Sequence, residues 1–150
     1  HRLKFRNQQA SARLLAQLMF QAIEAGWWTE LDAIVPVPLH PERFRQRGYN
    51  QAELLAYELS LLSNRPMLLP LERGHSTPPQ VGLSQQQRRT NMQGAFSLVR
   101  GCQRQLQGKR LLLVDDVLTT GSTLDACANT LLEVGCREVR VVTIAITNMQ

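Results

Sequence analysis

The chain has 150 residues, a hydrophobic fraction of 43%, 19% charged residues and a formal net charge of +5 at pH 7. This length and apolar content suit one domain with a packed core and exclude an intrinsically disordered chain. No apolar run approaches the roughly 20 residues that span a bilayer, so the sequence predicts no membrane span and no signal peptide. The basic balance, carried almost entirely by arginine, indicates either a charge that serves solubility or a polyanionic ligand such as a nucleotide, a pyrophosphate or a nucleic acid.

The first half of the chain predicts a helix, a strand and a second helix. The apolar residues of the first helix recur at helical spacing and are Leu14, Leu15, Leu18, Met19, Ala22 and Ile23. Gly26 is predicted to end this helix, and residues 31–37 form a strand that the prolines at its end stop. Residues 43–49 are predicted as an arginine-dense loop. Asn50 caps the next helix, whose apolar face is Leu54, Leu55, Leu59 and Leu62.

The second half predicts three more strands and a well-marked helix. A strand over residues 67–71 precedes a polar loop, a short helix over residues 84–91, a strand at 95–99 and a turn at 101–108. Residues 110–114 form a strongly apolar strand, residues 122–134 a helix ended by Gly135, and residues 139–146 a final strand. Leu124, Ala128, Leu131 and Leu132 are predicted to face inward. This alternation predicts an α/β fold over residues 1–150, with a mostly parallel central sheet flanked by helices.

Residues 111–123, Leu-Leu-Leu-Val-Asp-Asp-Val-Leu-Thr-Thr-Gly-Ser-Thr, contain the clearest functional pattern. The apolar strand delivers Asp115 and Asp116 to its carboxyl end, where ligands of open α/β sheets bind. The hydroxyl-rich turn that follows opens a helix, whose free N–H groups favour a phosphate, and Gly121 allows close approach. A phosphate and two ribose hydroxyls held on one loop describe a ribose 5-phosphate. The alternative is a capped turn without a ligand.

This string resembles the phosphoribosyl-pyrophosphate (PRPP) signature of the type I phosphoribosyltransferases. The resemblance implies that Asp115 and Asp116 contact the ribose as catalytic residues. The residues that it implies for binding the 5′-phosphate are Val117, Leu118, Thr119, Thr120, Gly121, Ser122 and Thr123. It also implies Mg²⁺ as cofactor, held through PRPP with a contribution from the two acids, and no separate side-chain metal site.

Two further segments are predicted to contribute to the site. Residues 34–38 resemble the first strand and pyrophosphate loop of that family, which implicates Pro36, Val37 and Pro38. Among the alternating arginines after this strand, Arg43 and Arg47 are predicted to meet pyrophosphate, and a solvated basic loop is the alternative. Residues 72–91 are the candidate for a lid over the reacting centre, with Arg88 and Arg89 as its basic residues. The alternative is that this segment is a disordered loop with no part in catalysis.

The resemblance to the ComF/GntX subfamily runs along nearly the whole chain. The segments that carry it are residues 3–5, 35–40, 47–53, 77–80, 83–84, 89–91 and 94–96. Members of that subfamily usually begin with a zinc-binding ribbon. Because the chain opens on His1 and its first residues look like the middle of a protein, we expect an upstream portion to be missing. The resemblance implies a role in natural competence or in the use of external DNA.

Three functions remain open on the sequence. The first is an enzyme that transfers ribose 5-phosphate from PRPP, or runs the reverse reaction, with an acceptor that the sequence does not indicate. The second is a non-catalytic protein that binds PRPP or a nucleoside 5′-monophosphate, and the third is a factor that acts on DNA or its uptake machinery. A second copy of the chain is left open as a partner. The odd number of cysteines, with Cys127 and Cys136 predicted as buried, indicates the cytoplasm.

Overall fold

Helices and strands alternate around a parallel sheet in the computed structural model, which describes residues 2–74, 94–118 and 120–146. The helices are α1 (Arg2–Ala22), α2 (Ala25–Glu30), α3 (Pro41–Arg47), α4 (Gln51–Ser63), α5 (Gln103–Leu106) and α6 (Ser122–Glu133). The strands are β1 (Ala33–Pro36), β2 (Leu71–Arg73), β3 (Phe96–Leu98), β4 (Arg110–Leu118) and β5 (Glu138–Ile146). A parallel sheet has the order β1-β4-β5, and β2 pairs with β3 in an antiparallel ribbon. The predicted α/β fold with helices flanking a parallel sheet is confirmed.

Strand β4 is the central strand and is buried on both faces. Because its side chains alternate, Leu111 and Leu113 join one core, while Leu112 and Val114 join the other. The first core contains the inner face of α6 and the β2–β3 ribbon, and the second contains α1 and α4. Burial on both sides explains why β4 is a continuous apolar run rather than an alternating one.

The residues of α1 that are buried against α4 are not the leucines that the sequence pattern indicated. Leu14 and Leu18 are 59% and 56% exposed, whereas Ala12 and Ala16 are fully buried. The facing helix also contributes a fully buried alanine, Ala56. Small side chains allow the two helix backbones to approach closely, so α1 turns its alanines, not these leucines, toward the core. Leu62 of α4, also predicted inward, is 40% exposed.

Three local predictions were wrong. Gly26 lies inside α2 and does not end the first helix, because the extended backbone of Glu24 (φ −55°, ψ 136°) separates α1 from α2. Residues 67–71 form only a bridge between Met67 and Ile34, and the strand begins at Leu71, since Pro70 has no N–H to continue a ladder. The predicted turn at residues 101–108 contains the short helix α5.

Helix α6 ends one residue before its predicted boundary and is rotated slightly from its predicted orientation. Cys127 is fully buried, whereas Leu132 is 44% exposed. Leu124, Cys127 and Leu131 lie on one helical stripe, which explains why the cysteine takes an inward position. The predicted short helix over residues 84–91 lies outside the described residues. Within the part of the chain that is described, no helix is long and apolar enough to cross a membrane.

Candidate functional site

The two acids of the motif lie inside β4, which continues to Leu118 and does not end at residue 114 as predicted. Asp115 Oδ1 accepts a hydrogen bond of 2.8 Å from the backbone N–H of Asp116, and Asp116 Oδ1 accepts one of 2.9 Å from the N–H of Val117. Side-chain alternation sends Asp115 toward the α6 side of the sheet and Asp116 toward the α1–α4 side. The two side chains leave the strand in different directions, but both line the same cavity at the carboxyl edge of the sheet.

Burial raises the pKa of Asp115 to about 7. The hydrogen bond from the Asp116 N–H lowers this pKa, the Asp116 side chain raises it again, and the positive charge of Arg73 lowers it. Desolvation is the largest cause of the raised pKa, and it acts by disfavouring the ionised form of the carboxyl. A carboxyl that changes charge near neutral pH at the edge of a sheet is typical of functional sites.

The hydroxyl-rich loop turns sharply into α6. Gly121 has a φ of +78°, a conformation that glycine adopts without strain, and its carbonyl accepts a hydrogen bond of 2.8 Å from the Asp125 N–H. The Thr120 hydroxyl donates to Ser122 Oγ at 2.9 Å, and Ser122 is buried. These two hydroxyls shape the turn, while Thr123 lines the cavity beside the acids. Thr119 lies outside the described residues.

The predicted arginine loop is a helix, α3. His40 starts it, because its Nδ1 accepts a hydrogen bond of 3.1 Å from the Glu42 N–H. Pro41 occupies the first turn, where its missing N–H is tolerated. Gly48 ends the helix with a φ of 84°.

Because α3 is a helix, its three arginines do not all lie on the same face. Arg43 and Arg47 are four residues apart, so they share one face, and both line the cavity next to the acids. Arg45 lies two residues from each and is not among the residues that line this cavity. The structure thus brings Arg43 and Arg47, the two arginines predicted to meet pyrophosphate, together beside the acids.

A cavity of about 250 Å³ joins these parts at the carboxyl edge of β1 and β4. Its lining residues are Val37, Pro38, Leu39, Arg43, Arg47, Asn50, Gln51, Arg73, Asp115, Asp116, Val117 and Thr123. Asn50 caps α4 by accepting from the Ala52 N–H at 3.1 Å, and its Nδ2 donates to the Val37 carbonyl at 3.0 Å. That pair of bonds fixes the chain after β1 to the start of α4.

Some predicted site residues do not line this cavity. Pro36 lines a neighbouring cavity of about 180 Å³, and Leu118 packs partly buried against the core. Thr120, Gly121 and Ser122 form the turn behind Thr123. The possible lid residues Arg88 and Arg89 lie outside the described residues.

Sequence reasoning missed Arg73, which lines the cavity from the end of β2. Its guanidinium carbon lies 5.2 Å from the centre of the Phe96 ring. Burial lowers the pKa of Arg73, the nearby Arg43 charge lowers it further, and the charge of Asp115 opposes this effect. The sequence carried no local signal, because this arginine stands at the start of a segment predicted as a polar loop.

The described residues contain no group of three or more His, Cys, Asp or Glu side chains that could hold a metal ion. The three cysteines are free, and Cys127 and Cys136 are buried, as predicted. Burial raises the pKa of the Cys127 thiol, which disfavours a thiolate. Protein ligands for a cation at the cavity are therefore limited to oxygen atoms, of which the adjacent carboxylates are the strongest.

A parallel sheet with paired acids and a basic cavity at its carboxyl edge is the arrangement of an α/β protein that binds a phosphorylated ligand. The family model described as phosphoribosyl transferase domain matches residues 1–150, and the chain belongs to this family. The chain is 41% identical over 145 residues to Competence protein F of Haemophilus influenzae, and 36% identical over 146 residues to DNA utilization protein YhgH of Escherichia coli K12. These alignments cover 93% and 94% of this chain, and in both cases 63% of the relative. The predicted ComF/GntX resemblance is confirmed.

Two solved structures share the fold. One, described as the allosteric regulatory enzyme of purine biosynthesis, has a TM-score of 0.59 and 23% sequence identity, covering 91% of this chain and 26% of that one. The other, glutamine PRPP amidotransferase from B. subtilis complexed with ADP and GMP, has a TM-score of 0.56 and 24% identity, with the same coverage of 91% and 26%. At this identity the likeness bears on the fold alone.

Proposed function

We propose that the chain binds PRPP with Mg²⁺ and transfers ribose 5-phosphate to an acceptor, or catalyses the reverse reaction. One observation carries the proposal: the carboxylates of Asp115 and Asp116 and the guanidinium groups of Arg43 and Arg47 line a single cavity at the carboxyl edge of the sheet. Acids suited to ribose hydroxyls and arginines suited to phosphate oxygens are what this ligand requires.

Each group in the cavity has a role in this reaction. The two acids accept hydrogen bonds from the ribose hydroxyls, and the first turn of α6 with Thr123 binds the 5′-phosphate. When the bond between C1 and the pyrophosphate oxygen breaks, its electron pair leaves with pyrophosphate and the ring gains positive charge. The carboxylates stabilise that charge, and Arg43 and Arg47 neutralise the departing anion.

The residues of the cavity are suited to Mg²⁺. This ion binds through one or two carboxylates together with substrate phosphates, rather than in a cage of protein ligands. Asp115 and Asp116 supply adjacent carboxylate oxygens at the mouth of the cavity. When bound with PRPP, the ion supplies charge neutralisation at the phosphate and ribose oxygens.

The test is a calorimetric titration of PRPP with Mg²⁺ into the chain and into the Asp115→Ala, Asp116→Ala double variant. We expect binding by the first and loss of binding by the second. A double variant of two exposed acids, Glu24→Ala and Glu133→Ala, removes two carboxylates outside the cavity and should bind like the wild type. Equal binding by the cavity variant and the wild type, or binding by neither, contradicts the proposal.

A panel of acceptor bases then separates an enzyme from a non-catalytic binder. Release of pyrophosphate with one acceptor supports transfer. Tight binding of PRPP or a nucleoside 5′-monophosphate without turnover across the panel supports a binding or regulatory protein that uses the same site.

The three free cysteines favour a reducing compartment, which we take to be the cytoplasm.

A second candidate function is a direct role in DNA use, which the names of the relatives suggest. Helix α1 contains Arg2, Lys4, Arg6 and Arg13 and no acidic residue, and all four side chains are exposed. Arg2 and Arg6 share one face of the helix, Lys4 lies on another, and Arg13 forms an ion pair of 3.7 Å with Glu58. A basic helix without acidic residues is suited to nucleic-acid phosphates. It is a different element from the one that carries Arg43 and Arg47, so the two functions are compatible.

A further inference from the structure

An uncharged stripe runs along the outer side of α1. Its exposed residues recur at alternating spacings of four and three and are Leu3, Asn7, Ala10, Leu14, Gln17 and Gln21. This is the heptad spacing of a helix that packs lengthwise against a second helix. Leu3 and Leu14 are 73% and 59% exposed, while Ala12 and Ala16 on the opposite side of α1 are buried in the core. The inner side of α1 is therefore used by the fold, and the outer side is free for a partner.

Helix α4 widens this surface. Both helices pack on the same side of the sheet, and an ion pair of 3.7 Å between Arg13 and Glu58 joins them. Tyr57 and Leu61 share the side of α4 that faces away from the core, and they are 50% and 61% exposed. With a rise of 1.5 Å per residue and a width of about 10 Å, the outer sides of the two helices measure roughly 500 Å². Burial of this area on two copies removes about 1,000 Å², the lower limit for a specific interface.

The charges of α1 favour an antiparallel copy of the same helix as the partner. Arg2 and Lys4 stand in the first turn, where positive charge opposes the helix dipole, and the last turn has no basic residue. An antiparallel copy places each basic end beside the other helix's C-terminus, where positive charge is favourable, and near the exposed Glu24 carboxylate. A parallel copy would bring the two basic ends together. Arg13, near the middle of the helix, is paired with Glu58 and adds no net charge.

The stripe is also complementary to itself in size and polarity. When two such helices run antiparallel, the two alternating positions of the heptad face each other, which sets Leu14 opposite Ala10 of the second copy. The large side chain fills the space beside the small one. The same register sets Asn7 opposite Gln17 of the second copy, so that amide faces amide. Polar pairs of this kind select one register and one number of helices.

We propose that two copies of the chain associate through the outer sides of α1 and α4, with their α1 helices antiparallel. The interface is twofold symmetric, so each copy contributes the same residues to it. Arg2 and Arg6 lie beside the stripe rather than in it, and the dimer leaves them at its rim. The inference is independent of the proposed function, because α1 contributes no residue to the cavity that contains the acids.

Sedimentation velocity at chain concentrations from about 1 to 300 µM tests the association. We expect the wild type to dimerise with a Kd of about 1 to 100 µM, because the buried area is at the lower limit. The double variant Leu14→Glu, Leu18→Glu should weaken the dimer at least about tenfold, since it buries unpaired carboxylates. Both leucines are exposed in the single chain, so the variant should fold. Leu132→Glu changes an exposed leucine of α6, on the other side of the sheet, and should dimerise like the wild type.

Disulfide cross-linking tests the orientation of the two helices. Asn7→Cys and Gln17→Cys, each combined with Cys102→Ser, are mixed and oxidised, and mass spectrometry identifies the cross-linked pairs. The antiparallel register brings these two positions within disulfide range and joins one variant to the other, whereas a parallel register joins each variant to itself.

Each other result overturns the inference. A monomer at every concentration means that the stripe has a different occupant. Equal dimerisation by the wild type and the glutamate variant, or an equal loss in Leu132→Glu, means that two copies meet elsewhere. Cross-links that join mainly identical variants refute the antiparallel arrangement. If circular dichroism shows that the glutamate variant is unfolded, the cross-linking result decides.

Discussion

Replacement of Asp115 by asparagine should make the protein more stable at neutral and alkaline pH. Burial raises the pKa of this carboxyl from 3.8 to about 7 in the folded chain. Each pH unit between the folded and unfolded values corresponds to about 1.36 kcal/mol, so the ionised carboxylate destabilises the folded state by on the order of 4 kcal/mol at pH 8. Water that reaches the cavity lowers this figure, and we expect about 2 to 4 kcal/mol.

The sign of the pH dependence follows from the raised pKa. The unfolded chain releases this proton near pH 3.8 and the folded chain near pH 7, so the free energy of unfolding is highest below the first value and declines until the second. Asparagine keeps the Oδ1 that accepts from the Asp116 N–H and has no proton to lose. Wild type and Asp115→Asn should therefore be similar near pH 4 and diverge toward pH 8.

Urea unfolding followed by circular dichroism at pH 4, 5, 6, 7 and 8 measures this divergence. Asp125→Asn is the matched control, because this exposed acid in the first turn of α6 interacts favourably with the helix dipole and its loss should destabilise the fold slightly. A difference between wild type and Asp115→Asn that does not change with pH would refute the argument that burial of this carboxylate stores free energy. So would a less stable Asp115→Asn at pH 8.

Two further predictions concern the loop and the basic helix. Gly121→Ala should cost about 1 to 2 kcal/mol in urea unfolding, because its φ of +78° strains any residue with a Cβ. Gly26→Ala, inside α2 with open space around it, should instead stabilise by about 0.5 to 1 kcal/mol; a similar loss at both glycines contradicts the backbone argument. If α1 binds DNA, changing Arg2 and Arg6, which share one face of the helix, together to glutamine should reduce the slope of log affinity against log salt by roughly 2. An unchanged slope argues against α1 as the contact surface.

The parts of the site that could be predicted from sequence are those in which one short segment holds all the information. The apolar run of β4, its two acids and the turn into α6 are contiguous, so local pattern and chemistry were enough to locate Asp115 and Asp116. Helix α3 escaped prediction because none of its residues is buried, and no apolar periodicity marks it. His40 and Gly48 define it by capping its two ends.

Arg73 could not be found in this way, because its position depends on pairing between distant parts of the chain. Strands β2 and β3 are separated by residues 74–95, and each has only three residues. Strand β3 lies within the predicted strand at residues 95–99, but β2 is not recognisable alone, and the arginine acquires its place opposite Phe96 only when the two strands pair. The alanines of α1 were missed for a related reason, since close approach of a second helix decides which of several apolar faces is buried.

The alternation of side chains along β4 has a consequence for how substitutions affect this site. Asp115 stands above the core that contains Cys127, and Asp116 stands on the side of the core that contains Leu55. Two neighbouring residues thus rest on two separately packed interiors. Because the Asp116 side chain also raises the pKa of Asp115, a substitution beneath either face changes the electrostatic surroundings of both carboxylates. Changes in packing on either side of the sheet therefore reach the same cavity.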